Sequence, residues 1–264
     1  MKNKKLFFLL PIVALTACST LGKEISKEDA LEKAEAIEEQ LAEDAEINRE
    51  MRLAMSTDQG KGEEKVSSSS SYLLKTNSDE EYYCKMEGKT KQNGEETKEA
   101  AEFYLVNNEE YEQVCWAKVY DASKKEYVTA AYTKKDNASF NSIVSQLESN
   151  LLVPAIYLMT FSYPTSLIES YEKSEDYKVT YYSTGEKNLS IKVNVNVDAE
   201  DDENESIVSM VGTFTYDSNR FTKSDVNATS SFGNKQSVKM SVSYKDSLKF
   251  TLPSGWEKDI VKAA

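Results

Sequence analysis

Leu189-Ser190-Ile191-Lys192-Val193-Asn194-Val195-Asn196-Val197 alternates apolar and polar residues without a break. A period of two places the leucine, isoleucine and valines on one side of an extended strand, and the serine, lysine and asparagines on the other. That is the pattern of a half-buried antiparallel strand. Val208, Met210, Gly212, Phe214 and Tyr216 repeat it, as do Val238, Met240, Val242 and Tyr244. Leu248, Phe250 and Leu252 are expected to form a last strand before Pro253. Asp217-Ser218-Asn219 and Gly233-Asn234 read as hairpin turns. Successive hairpins with no helix between them exclude a doubly wound parallel fold. The expected class is mainly antiparallel β with a few helices (α+β), a large curved sheet or half-barrel with one face covered by helices.

Upstream, strand-like runs occupy 49–57, 65–75, 80–88, 101–107, 111–120 and 126–133. The serine run 67–71 passes directly into Tyr72-Leu73-Leu74, so it reads as the solvated part of a strand. Before these strands, Ser26 marks the start of a charged helix reaching about residue 49. Its stripe of Ala30, Ala34, Ile37, Leu41 and Ala45 either docks a partner or packs on its own domain; the small side chains favour self-packing. Between the strand groups, Asp136-Asn137 cap a helix with Phe140, Ile143, Val144, Leu147 and Leu151 on one side. Pro154 and Pro164 then divide the most apolar stretch, 151–161, into short helical pieces. It is too short to cross a bilayer, so it is expected inside the protein or against something apolar.

The chain begins with Lys2, Lys4 and Lys5, an apolar run 6–14, and Leu15-Thr16-Ala17-Cys18. A basic region, a short apolar core and a small residue before the cut form a secretory signal. Leu15-Thr16-Ala17-Cys18 resembles the lipobox of bacterial lipoproteins. The resemblance implies cleavage before Cys18, acylation of its thiol and amine by chains such as palmitate, and a protein held at the outer face of the cytoplasmic membrane. The expected layout is a signal peptide 1–17, a tether 18–25 of at most ~28 Å, and a single β-rich domain 26–264 with an N-terminal helix.

Composition agrees with export. The formal net charge is −13, and it becomes more negative without the signal lysines, so nucleic acid and anionic headgroups would be repelled. Membrane contact is therefore expected through the lipid on Cys18. Cys84 and Cys115 either form a disulfide or remain buried thiols; an oxidising compartment favours the disulfide, worth roughly 3–4 kcal/mol for a loop of about 30 residues.

The order of elements, with Gly212-Thr213-Phe214-Thr215-Tyr216-Asp217-Ser218-Asn219-Arg220-Phe221 and the stretch 237–253, resembles the LolA/LppX family of lipoprotein carriers and lipid-binding lipoproteins. That resemblance implies an incomplete barrel holding acyl chains on its concave face beneath helices, and it implies no catalytic residue.

Catalytic signals are weak. The chain has no histidine, which removes Ser-His and Cys-His pairs and the usual zinc ligand. Ser170-Tyr171-Glu172-Lys173 matches S-x-x-K without its companion motifs. The acidic cluster Asp198, Glu200, Asp201, Asp202, Glu203 and Glu205 lacks EF-hand spacing and reads as a solvated loop rather than a calcium site. The expected function is non-catalytic binding of a lipid or other hydrophobic ligand, without cofactor or metal. Ile156, Tyr157, Leu158, Met159, Phe161 and Phe214 are the candidate contacts. The alternative is a surface scaffold lipoprotein that docks another envelope protein.

Overall fold

The computed structural model describes residues 21–43, 48–60, 65–149, 152–173, 175–196 and 207–261. The signal segment 1–17, Cys18 and the acidic cluster 198–205 lie outside the described residues, as does Leu151.

A three-residue strand β1 (Lys23–Ile25) precedes helix α1 (Lys27–Glu43). Six strands then run as a meander: β2 (Asn48–Gln59), β3 (Val66–Thr76), β4 (Tyr82–Gln92), β5 (Glu95–Asn108), β6 (Glu112–Asp121) and β7 (Glu126–Thr133). Helices α2 (Phe140–Glu148), α3 (Leu152–Ser162) and α4 (Pro164–Glu172) follow. A second meander contains β8 (Tyr177–Ser183), β9 (Leu189–Asn196), β10 (Ile207–Asp217), β11 (Arg220–Ser230) and β12 (Lys235–Lys245). The spatial order β1-β8-β9-β10-β11-β12-β2-β3-β4-β5-β6-β7 makes one open, curved sheet of twelve strands. The meanders join through the β12–β2 ladder, which pairs Lys235 with Asp58 at one end and Lys245 with Asn48 at the other.

Because β7 and β1 are the margins, the chain between β7 and β8 must travel from one edge of the sheet almost to the other. Helices α2, α3 and α4 make that crossing. The turns are short and locally encoded: Ser218 and Asn219 both adopt left-handed backbone (φ 53° and 57°), as a two-residue hairpin between right-twisted strands requires.

Register fixes the two faces. One continuous row of paired residues crosses all the strands: Ile25, Tyr181, Ile191, Phe214, Ser224, Met240, Leu53, Tyr72, Met86, Ala101, Val119 and Val128. All but Ser224 are apolar or aromatic, and the row belongs to the face that carries the core. Facing away are Ser67, Ser69 and Ser71, and pairs such as Lys85–Glu87 and Lys239–Asp225. The serine run is thus the solvated side of β3, as expected.

Helix α1 starts where Ser26 Oγ accepts a hydrogen bond from the Asp29 amide (3.1 Å). Ala30, Ala34 and Ile37 are buried in the core, so the stripe packs on its own domain. Small side chains let α1 approach β8, β9, β11 and α4 closely. The helix ends at Glu43, earlier than the residue-49 limit expected, because β2 begins at Asn48.

Three expectations are corrected. Residues 23–25 of the expected tether form edge strand β1, paired to β8 through Ile25 and Tyr181. Leu248, Phe250 and Leu252 make no strand, because both edges of β12 are already taken by β11 and β2. The C-terminal segment instead crosses the solvent-side face to the free margin at β7. On its way the Asn77 side-chain amide donates to the Leu248 carbonyl (3.2 Å). Trp116 Nε1 and Thr129 Oγ1 then donate to Asp259 (2.8 Å each), and Ile260 forms a parallel bridge with Ala131. This strap buries Val114, Trp116 and Ala131 and covers an edge that would otherwise template association.

The third correction concerns Cys84 and Cys115, which are free buried thiols and form no disulfide. Cys84 pairs with Phe103 and Cys115 with Leu105, so the whole of β5 lies between them. Two ladder spacings separate them by about 9–10 Å, beyond the ~7 Å Cα limit for a bridge. Burial pushes both thiols up to about 12. A thiol reagent applied to native protein is therefore expected to label neither, and unfolding without reductant to expose both; a single silent pair after unfolding contradicts this register.

Candidate functional site

The site is an aromatic wall with a helix laid on it. Phe214 and Tyr216 project from β10 and Phe221 from β11 into the core, where all three are fully buried. Gly212 makes room for them: a Cβ there would meet the Phe214 ring at 3.3 Å. Phe161 of α3 sits on this wall, its ring centroid 5.1 Å from Phe214 and 5.8 Å from Phe221. Tyr157 stacks behind Phe161 at 5.7 Å, and Tyr171 of α4 flanks Phe214 at 6.3 Å. Burial holds the Tyr216 hydroxyl well above its ordinary range, so it stays protonated. It donates to the Phe161 carbonyl (2.8 Å), one of the backbone acceptors left open at the end of α3.

Both prolines suit their helices. Pro154 lies in the first turn of α3, where no intrahelical amide bond is lost, and Pro164 occupies the first position of α4. Tyr163 gives α4 no side-chain cap. Glu38 from α1 supplies one, accepting the Thr165 amide (2.9 Å) with a charge suited to a helix N-terminus. At the other end of α4, Glu172 receives hydrogen bonds from Lys27 and Tyr181, tying α4 to α1 and β8. Helix α4 is thus anchored at both ends, whereas the polar bond described for α3 within the wall is that from Tyr216.

Burial works to raise the Glu172 carboxyl, but the Lys27 and Tyr181 contacts outweigh it and hold it below its ordinary value. A depressed carboxylate stabilises the fold above its unfolded pKa of about 4.3, and that stability is lost as pH falls through the folded value. Lys27 is half exposed, so solvent screening keeps the effect small. Glu172→Gln should lower stability at pH 7 by about 0.5–1 kcal/mol, with the difference from wild type vanishing at about pH 3. Urea unfolding at the two pH values checks this.

The interior is filled. A void between α1 and β11, bounded by Ile37, Leu41, Ser162 and Phe221, measures about 10 Å³, room for one water at most. Larger hollows of about 430 and 400 Å³ are open troughs on the opposite face, floored by Ala54 and Ser71. A permanently open groove on the apolar face is therefore absent among the described residues. One polar atom stands out in that face: Ser224, between Phe214 and Met240, carries a fully buried hydroxyl with no hydrogen-bond partner. Such a group costs about 1–3 kcal/mol.

No protein-family profile matches this chain, and no curated protein does. It is similar to two solved structures. One is a DUF1329 family protein from Desulfovibrio piger, at 9% identity and a TM-score of 0.23, covering 84% of this chain and 95% of that one. The other is a beta-barrel-like protein of the DUF1849 domain from Brucella abortus, at 9% identity and 0.24, covering 76% and 98%. Likenesses this distant carry no argument about function.

Of the six residues singled out in the sequence, Phe161, Phe214 and Tyr157 meet in the wall, and Leu158 packs at its edge. Ile156 and Met159 point outward, 58% and 63% exposed. Phe221, Tyr171, Tyr216 and Ser224 escaped the sequence reading. Phe221 ends a passage that was singled out, but nothing in the local pattern marks which face it occupies.

Proposed function

We propose that this chain is a non-catalytic, lipid-anchored protein of the bacterial cell envelope, held at the outer face of the cytoplasmic membrane through Cys18. It takes an acyl chain or another hydrophobic ligand between α3 and the aromatic wall of β10 and β11. In this reading the helices roof one face of the half-barrel, and α3 is the movable part of the roof. The observation that carries it is that α3, a helix without a charged residue, rests Phe161 on the wall while leaving Ile156 and Met159 in solvent.

Magnitudes support an exchange of α3 for ligand. Lifting α3 exposes Phe161, worth about 1.5–3 kcal/mol, and breaks the Tyr216 bond, worth about 0.5–1.5 kcal/mol. An acyl chain burying about ten methylenes gains roughly 8 kcal/mol at about 0.8 kcal/mol each. The gain exceeds the opening cost, although opening weakens the apparent affinity by about a thousandfold for 4 kcal/mol. The unpartnered Ser224 hydroxyl would meet a polar atom of the ligand.

Titrating delipidated protein with a dansylated fatty acid tests the reading. Saturable, blue-shifted emission near one equivalent is expected. Emission that stays solvent-like at every ratio would overturn it.

A further inference from the structure

We propose that the outward side of α3 is a docking surface for the lipid bilayer, inserted at the headgroup boundary. Leu152, Ile156, Met159 and Tyr163 are all exposed and recur at intervals of four, three and four residues, which is one line along the helix. No charged residue occurs from 149 to 168, in a chain that is 29% charged. Tyr163 ends the line with an amphipathic ring, the type that settles at membrane–water interfaces.

The position of the chain outside the described residues selects the bilayer as the occupant. Cys18 precedes Lys27 by nine residues, a reach of at most ~31 Å, and Lys27 is bonded to Glu172 at the end of α4. Helix α4 is about 14 Å long and begins directly after α3. A lipid on Cys18 can therefore enter the same bilayer that α3 touches. A second copy of the chain fits less well: four side chains cover roughly half of the ~800 Å² per partner that a stable interface needs. The acidic chain supplies no basic rim, so the contact suits a zwitterionic surface. This inference rests on the membrane location proposed above, and it does not require the aromatic wall to open.

The test uses the full chain with vesicles of dibromostearoyl phosphatidylcholine. Ile156→Trp and, separately, Met159→Trp place a reporter on the line; the native Trp116 and Trp256 lie on the far face and provide the wild-type baseline. The added emission should shift to the blue and fall by more than half relative to unbrominated vesicles. Introducing Leu152→Asp beside either reporter should abolish that quenching. Reporters that stay solvent-like and unquenched at both positions overturn the proposal, as does quenching that survives Leu152→Asp. A blue shift that needs no vesicles and grows with protein concentration would assign the surface to a second copy and also overturn it. The dansyl titration is read without vesicles, so either result can fail independently.

Discussion

Phe214→Ala is expected to lower stability by about 3–5 kcal/mol, among the largest losses available to one side chain in this protein. Phe214 is fully buried, touches Phe161 and Tyr171, and lies over Gly212, so neither wall nor helix can close the gap cheaply. The urea midpoint should fall by about 1 M or more with the slope unchanged. The cavity created is the place proposed for an acyl chain, so the variant carries a second signature. A saturating fatty acid should restore about 2–3 kcal/mol at roughly a hundred times its dissociation constant. A loss below 1 kcal/mol would mean that the wall is not packed as described.

Leu53→Ala should cost about 2–5 kcal/mol in the other meander. Leu53 is buried on β2, between Met240 of β12 and Tyr72 of β3, at the seam where the two meanders join. The row of paired residues runs unbroken through this seam, and the core side chains form one cluster on both sides of it. Both variants should therefore shift a single unfolding transition, with circular dichroism and tryptophan emission coinciding. Two separated transitions, with Leu53→Ala moving one and Phe214→Ala the other, would divide the domain at β12 and β2.

The legible parts of the fold were those in which the local pattern and the tertiary environment agree. The alternation in β9, β10 and β12 survives because one side of each strand is buried and the other solvated. Strand β11 was harder to read, since Lys223, Ser224 and Asp225 interrupt any apolar period and its apolar positions are few. Ladder neighbours were not legible: the separation of Cys84 from Cys115 depends on the position of β5, which no spacing records. Leu248, Phe250 and Leu252 alternate as a strand would, but a strand also needs a free edge, and β12 has none. The site was half legible. Apolar content found α3, whereas the side of α3 that meets Phe214 and Phe221 depends on the crossing from β7 to β8.

Native mass spectrometry of the full chain, released gently from its own membranes, tests the central claim most directly. The account predicts a population heavier than the polypeptide with its covalent lipid, by the mass of one acyl-chain molecule that leaves on collisional heating. A spectrum holding only the covalently modified polypeptide, unchanged after incubation with excess fatty acid or phospholipid, would contradict it.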